Sequence, residues 1–578
     1  MRHTLYETLV HRNMFQYGTV VTRNPAGHPR SAHQTGTPTG VKRSRKQMSE
    51  ELVYRRRWWI LGVLCLSLMV ITLDNTILNV ALPTLVRDLD ASNSQLQWIV
   101  DSYTLVFAGL LLTAGSLGDR FGRKGALQLG LAIFALGSAL SAFATDPNQL
   151  IATRALMGIG GAFIMPATLS ILTNVFPAEE RGRAIGVWAG VSGLGVALGP
   201  LLGGYLVEHF GWHEVFTVNL PIAAVAIIAG GFLLPRSKDP SAPKLDPLGA
   251  LLSIAGLTTL VYALIEAPSR GWTDGLILGF FAAAAVLLAL FVVHELRTEE
   301  PMLDVSFFKN PRFTAASMAV TLVFFAMFGY SFLQTQYFQF VLGYSAAETG
   351  LRMLPLALTL MVVAPTSSRI VEKLGTKVVG GTGLSLVSVA LVLQLQLTAD
   401  SSYVQVMWRM MLLAVGMGLT MAPATESIMG SLPLAKAGVG SAMNDTTRQV
   451  GGALGVAIIG SVLSSVYGSK IVDALSGKVP DQALEAAKSG VGGALAVADK
   501  AGDAGAQIAD VARNAFVDAM HGGAIVAAAA AIVGVIVAVV FLPAHARPAD
   551  EVLQEHEFEA EMAEAAAHGD DIEVVSHP

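Results

Sequence analysis

Cysteine is nearly absent: Cys65 is the only one in 578 residues. Neither a disulfide framework nor a cysteine-based metal site can be built within one chain. Charge is scarce as well. Asp, Glu, Lys and Arg make up 14% of the sequence, against about 25% in an ordinary soluble domain, and the shortfall excludes a string of water-facing domains. The net charge of −5 is small and gives no basic excess to hold nucleic acid. No Gly-rich phosphate loop of the Walker type is present, so ATP is not the direct energy source. No cofactor loop, metal cluster or nucleophile constellation marks an enzyme, and no cofactor is expected. Residues 1–57 lack the apolar core of a signal peptide, so the first apolar run, from Trp58, reads as an uncleaved span.

What fills the chain is hydrophobic residue, 53% of it. It comes in runs of about 20, long enough to cross ~30 Å of hydrocarbon, separated by short charged loops. Fourteen spans can be placed. Six start near Trp58, Leu96, Gly125, Gln149, Ala184 and Glu214. Two more start near Leu248 and Gly275. The last six start near Thr314, Gly350, Lys377, Tyr403, Thr446 and His521.

Loop charge sets the expected orientation. One set of loops holds Arg120, Arg123 and Lys124; Arg181 and Arg183; Arg236, Lys238 and Lys244; Arg297, Lys309 and Arg312; Arg369, Lys373 and Lys377. The alternate short loops hold Arg87, Arg270, Arg352 and little else. By the positive-inside rule the first set is cytoplasmic, together with the basic N-terminus. An even number of spans returns the C-terminus to the same side.

The expected organisation follows. Residues 1–57 are a basic cytoplasmic tail without a fold of its own, or in part an upstream extension if the true start is Met48. Residues 58–235 form a first six-helix bundle and 236–313 hold two inserted helices with their flanking loops. Residues 314–545 form a second six-helix bundle that includes an outer segment, 468–520, parts of which are able to form amphipathic surface helices. Residues 546–578 are an acidic cytoplasmic tail.

The two six-span groups are copies of one unit. Pro166-Ala167-Thr168-Leu169-Ser170-Ile171 recurs as Pro423-Ala424-Thr425-Glu426-Ser427-Ile428. Pro177 and Gly182 correspond to Pro433 and Gly438, and Gly195 and Gly199 to Gly451 and Gly455. Asp119-Arg120-Phe121-Gly122-Arg123-Lys124 resembles Glu372-Lys373-Leu374-Gly375-Thr376-Lys377. Repeats of this kind build many transporters.

Four motifs carry candidate chemistry. In Leu73-Asp74-Asn75-Thr76-Ile77-Leu78-Asn79-Val80-Ala81-Leu82-Pro83, Asp74 is a carboxylate inside an apolar helix. Placing a charge there costs ~2.5–3.5 kcal/mol on insertion scales, so such residues are mostly functional. The competing role is a structural hydrogen bond. Burial favours the neutral carboxyl and a nearby cation favours the carboxylate, so a site that alternates between the two can bind and release a proton. Arg154 opens Arg154-Ala155-Leu156-Met157-Gly158-Ile159-Gly160-Gly161 in span four. At 1.5 Å per residue both lie in the outer half of the membrane, at depths of roughly 12 and 8 Å. That is within side-chain reach if the helices are neighbours, and an Asp74–Arg154 pair is expected. The alternative is that Arg154 snorkels to the outer headgroups.

Gly115-Ser116-Leu117-Gly118-Asp119-Arg120-Phe121-Gly122-Arg123-Lys124 joins spans two and three. Its glycines (Gly115, Gly122) allow a tight turn and close helix approach. Its charges (Asp119, Arg120, Arg123, Lys124) can lock the cytoplasmic ends of neighbouring helices and release them. The plainer reading is a solvated positive loop. Gly195-Val196-Ala197-Leu198-Gly199-Pro200-Leu201-Leu202-Gly203-Gly204 lies in span five. Its glycines let helices touch backbone to backbone. Pro200 is expected to bend span five, whereas span thirteen has Val456 at the matching place and is not. Glu426, Asp445 and Arg448 read as helix-end charges at the interface. Phe324, Tyr330, Gln334 and Tyr337 of span nine are candidate pocket-lining residues, most of them better read as packing.

These residues resemble a known family. Gly115 to Lys124 is similar to the loop that major facilitator transporters carry between spans two and three. Leu73 to Pro83, Arg154 to Gly161 and Gly195 to Gly204 resemble the span-one, span-four and span-five motifs of the fourteen-span drug:proton antiporters of the EmrB/QacA type. The resemblance covers roughly residues 55–545. It implies an all-α membrane protein of the major facilitator fold, a monomer in the cell membrane. It further implies proton-driven export of small amphipathic compounds, with Asp74 and Arg154 as the coupling residues. A dedicated exporter of one metabolite, lipid or antibiotic fits the same residues. A non-transporting sensor fits less well, because it has no use for a buried charge.

Overall fold

Hydrocarbon offers a chain no hydrogen-bond partner, so a crossing segment must satisfy its own backbone, and the α-helix does so within one segment. The computed structural model describes residues 18–23, 39–89, 93–237, 246–298, 301–433, 436–542 and 571–576. Lys238, Lys244 and most of the two tails lie outside the described residues. Fourteen helices are long and apolar enough to cross a membrane. In chain order they are Glu51–Leu78, Trp98–Phe121, Arg123–Ala142, Pro147–Val175, Ala178–Phe210, Glu214–Leu233, Pro247–Pro268, Gly275–Glu295, Pro311–Val341, Ala347–Leu374, Thr376–Gln396, Tyr403–Met429, Ala437–Leu475 and Gly505–Phe541. They are numbered here as spans one to fourteen. The outer surface is apolar: Phe143 is 81% and Phe232 83% exposed. Water would not tolerate such a surface, and lipid requires it.

The terminal unit, residues 1–49 and 547–578, holds one antiparallel pair of short strands, Gly18–Arg23 with Asp571–Ser576. Apart from that pair, the regular structure among the described residues is helical.

Three boundaries differ from the sequence expectation. The helix carrying span one begins at Thr39, inside the segment expected as a tail. Its run of Lys, Arg, Gln and Glu residues is helix-permissive. Span thirteen begins at Ala437 rather than Thr446, and span fourteen at Gly505 rather than His521. Span thirteen has 39 residues, about 58 Å of helix, nearly twice the ~30 Å of a bilayer core. The segment 468–520 is thus built from the ends of two long helices and two short ones, Asp481–Lys488 and Val491–Lys500.

Glycines set the helix crossings, and they do so twice. A Cβ at Gly130 of span three would lie 2.8 Å from the Gly160 carbonyl oxygen of span four. A Cβ at Gly416 of span twelve would lie 2.6 Å from the Gly383 carbonyl oxygen of span eleven. Gly195 and Gly199 of span five face Thr72 and Thr76 of span one, as Gly451 and Gly455 of span thirteen face Thr321 and Phe325 of span nine. The repeat read in the sequence is therefore also a repeat of contacts.

The inserted pair, spans seven and eight, reaches both bundles. Leu257 and Phe291 of the pair, with Met302 and Leu303 in the segment that follows it, pack with Leu112 of span two and with Val439 and Ala442 of span thirteen. Near the other end Trp98 stacks on Tyr262 at 6.2 Å, and Trp272 Nε1 donates to Ser461 Oγ at 2.8 Å.

Candidate functional site

Span four starts at a well-made helix end. The Asp146 side chain accepts from the Asn148 and Gln149 backbone N–H groups, and Pro147 occupies the first turn. This start fixes Arg154 about two turns in. Its Nη1 donates to Asp74 Oδ2, forming an ion pair between spans four and one. Its Nε donates to the Ile99 carbonyl at 3.2 Å, and its guanidinium lies 4.5 Å from the centre of the Tyr103 ring. Asp74 is fully buried and Arg154 is 1% exposed, so water does not screen the pair.

Asp74 has a second partner that the sequence reading missed. Asn219 Nδ2, in span six, donates to Asp74 Oδ1 at 3.0 Å. The same amide lies 3.2 Å from Ser138 Oγ, and Ser138 in turn donates to the Phe216 carbonyl at 2.8 Å. Each carboxylate oxygen therefore has a donor. The available signal was a lone amide in the apolar stretch Val218-Asn219-Leu220, where the helix of span six is interrupted between Thr217 and Asn219.

The glycine motif of span five packs on span one at the level of Asp74, through residues before and after it in sequence. A Cβ at Gly195 or Gly199 would collide with the Thr72 and Thr76 hydroxyls, on either side of Asp74. One at Gly203 would sit 2.8 Å from Ile77 Cγ1. The opposite face of span five meets span ten. There a Cβ at Gly190 would lie 2.8 Å from Met361 Cα, and one at Gly204 3.3 Å from the Ala347 Cβ. Span five is thus held between its own bundle and the other one. Its helix runs unbroken through Pro200.

The loop between spans two and three makes the contacts that join the bundles on one side. Asp119 Oδ1 accepts from the Gly438 N–H at 2.9 Å and Oδ2 from the Val439 N–H at 3.0 Å. Those are free donors of the first turn of span thirteen, so Asp119 caps a helix of the other bundle. Arg123 Nε holds the same carboxylate at 2.7 Å. A Cβ at Gly115 would lie 2.6 Å from the Gly438 oxygen and 2.6 Å from the Ala442 Cβ. Gly122 has φ 115, a left-handed conformation open to glycine, and turns the chain between the helices. Lys124 Nζ donates to the carbonyls of Gly231 and Leu234 at 2.7 and 3.0 Å, at the end of span six. Arg120 lies over the Phe121 ring at 5.5 Å.

The reading of Asp445 and Arg448 as interfacial helix-end charges is corrected. Span thirteen starts earlier than hydropathy indicates, and both residues are buried within it. The polar run from Ser441 to Arg448 looks like a loop in sequence, but its groups meet partners inside. Arg448 Nη2 donates to Thr425 Oγ1 at 3.1 Å, and Thr425 donates to Asn444 Oδ1 at 3.3 Å. Glu426, near the end of span twelve, is partly buried against Gly182 of span five. Of the candidate lining residues, Phe324 lies beside Arg448. Tyr337 donates to the Thr398 carbonyl at 2.6 Å. Tyr330 and Gln334 are buried in the second bundle. Among the described residues no group of three or more His, Cys, Asp or Glu is placed to hold a metal ion.

Comparison with known proteins bears on this arrangement. A family model described as Major Facilitator Superfamily matches residues 64–456. The chain is 37% identical over 487 residues to the multidrug efflux pump LfrA of Mycolicibacterium smegmatis, covering 83% of this chain and 96% of that protein. It is 34% identical to the tetracenomycin C resistance and export protein of Streptomyces glaucescens, covering 72% of this chain and 78% of that one. The crystal structure of the human organic anion transporter MFSD10 superposes with a TM-score of 0.54 at 15% identity, covering 84% of this chain and 99% of that one. At that identity the likeness is one of fold.

Proposed function

The chain belongs to the major facilitator superfamily, and from that premise we propose that it exports small amphipathic, drug-like compounds in exchange for protons. It is a multi-pass membrane protein of a transporter family. In the proposed arrangement it works as a monomer in the cytoplasmic membrane with both termini inside. The observation that carries the coupling is the buried Asp74–Arg154 pair with its Asn219 donor. A carboxylate with a cation and an amide donor beside it is favoured in its charged form, and one that loses the cation in an apolar setting is favoured as the neutral acid. Movement of span one against span four thus loads and unloads a proton.

The glycine contacts of span five link span one, which carries Asp74, to the other bundle. Span five touches Thr72 and Thr76 on one face and span ten on the other. A rocking of the bundles is transmitted to the helix that carries Asp74. Asp119 and its hold on Gly438 and Val439 is the catch that keeps one side shut, and the loop charges support a cytoplasmic position for that side. Alternating access then runs through release of the catch, separation of the bundles and re-formation of the ion pair.

The relatives include a multidrug efflux pump and a resistance and export protein named for one compound. The second name supports a narrower reading, a dedicated exporter of one natural product. An accumulation panel in an efflux-deficient host separates them. Multidrug export predicts lowered accumulation of several unrelated amphipathic dyes and drugs, restored by an uncoupler. Lowered accumulation of a single chemical series selects the dedicated exporter, and no uncoupler effect on any compound contradicts proton coupling.

A further inference from the structure

Span thirteen carries a second buried acid and base, and their setting differs from that of Asp74 and Arg154. The guanidinium carbon of Arg448 lies 4.8 Å from the ring centre of Trp188 and 5.1 Å from that of Phe324. Trp188 belongs to span five and Phe324 to span nine, so the rings come from opposite bundles. Trp188 is fully buried, and Phe324 and Arg448 are each 7% exposed. A cation within about 6 Å of an aromatic face is attracted to it, the more so when desolvated. The Trp188 ring is itself anchored, its Nε1 donating to Thr168 Oγ1 at 3.3 Å.

The acid beside it is loosely held. Asp445 is 2% exposed, and its Oδ1 is 4.0 Å from Arg448 Nη1. Asn444 Nδ2 approaches the same oxygen at 3.4 Å. Among the described residues Asp445 Oδ2 accepts no hydrogen bond and Arg448 Nε donates none. Both oxygens of Asp74, by contrast, have donors. A buried carboxylate this poorly satisfied has capacity for a further cation.

We propose that Trp188, Phe324 and Asp445 form a binding subsite for a planar organic cation, and that Arg448 occupies it as an internal stand-in until such a solute displaces it. The inference rests on the export reading above and names a solute class and a place for it. A flat, delocalised, weakly hydrated cation suits aromatic faces as the guanidinium does. A small hard metal ion does not, because it needs several oxygen ligands. Displacement has a mechanical consequence. Arg448 reaches across the seam to Trp188 and also holds Thr425 of span twelve. A solute that turns Arg448 away takes span thirteen off the face of span five, and occupancy loosens the seam between the bundles.

The probe is ethidium, a planar aromatic cation, titrated by fluorescence into purified full-length protein in detergent. Arg448→Ala removes the competing cation and leaves Asp445 without its counter-charge, so it should bind ethidium about tenfold more tightly. Arg448→Gln keeps hydrogen-bonding capacity and should fold where the alanine variant does not, with the same direction of change. Trp188→Leu and Asp445→Asn should weaken binding by a similar factor. Weaker binding in the Arg448 variants would make Arg448 part of the binding wall and overturn the stand-in. Unchanged binding in all four, or no binding by wild type and both Arg448 variants, would place the solute elsewhere. Export by the wild type is read separately in cells. Export with binding insensitive to these residues removes the subsite and spares the transporter reading. Variant-sensitive binding without export does the reverse.

Discussion

Arg154 is worth more to Asp74 than its charge alone. It gives one nitrogen to the carboxylate and another to the Ile99 carbonyl, while its plane lies over Tyr103. A lysine can supply the charge but not that fork. Truncating one partner of a buried pair strands the other and costs roughly 3–5 kcal/mol. Arg154→Ala should therefore lower the thermal midpoint of the purified protein and abolish uphill efflux. Arg154→Lys should fall between it and wild type on both measures, and equal loss in the two would mean that only the guanidinium geometry matters. At this scale Asp74 and Arg154 were legible because a charge in an apolar run is costly and therefore conspicuous. Asn219 was not, because an amide carries a far smaller penalty and its partner is 145 residues away in sequence. Asp445 and Arg448 were misplaced for a related reason: clustered polar residues imitate a loop when their mutual contacts are unseen.

Span five is the element on which the account depends mechanically. Its glycines have no spare room toward span one, where Thr76 Oγ1 comes within 3.4 Å of the Gly195 carbonyl. Gly199→Leu should drive span one away from span five and misplace Asp74. Efflux should be lost while the protein is still made and inserted, as read by accumulation in cells beside membrane-fraction immunoblots. Full efflux would make the tight packing incidental. The existence of every span was readable from apolar runs, since hydrocarbon thickness dictates run length. The starts of spans thirteen and fourteen were not, because a helix continues past its apolar run wherever caps and neighbours support it. Span thirteen gains its first turn from a carboxylate of the other bundle, Asp119. No local pattern near Ala437 reveals that.

For the whole molecule, loop charge predicts which side is which. Single cysteines at Ser241 and Ser489, in a Cys65→Ala background, test it with an impermeant reagent on intact cells. Ser489 should label and Ser241 should not. Equal labelling of both contradicts the orientation. The duplicated architecture was legible in the short sequence repeats, and it reappears as paired glycine crossings. The role of the inserted spans was not, because their contacts with span two and span thirteen are formed between distant segments. A membrane potential of ~100 mV is worth ~2.3 kcal/mol per charge, enough for roughly a fifty-fold solute gradient per proton.

The central claim is that Asp74 carries the proton. It is tested most directly in vesicles that reconstitute the purified protein, by imposing an inward proton gradient and following uphill movement of a fluorescent solute. Solute-induced proton release from the same protein in detergent is measured in parallel. Asp74→Asn keeps the shape of the side chain but can neither gain nor lose a proton. The account predicts that this variant retains solute binding, releases no proton on binding and moves solute only downhill. Uncoupler-sensitive uphill transport by Asp74→Asn would contradict it.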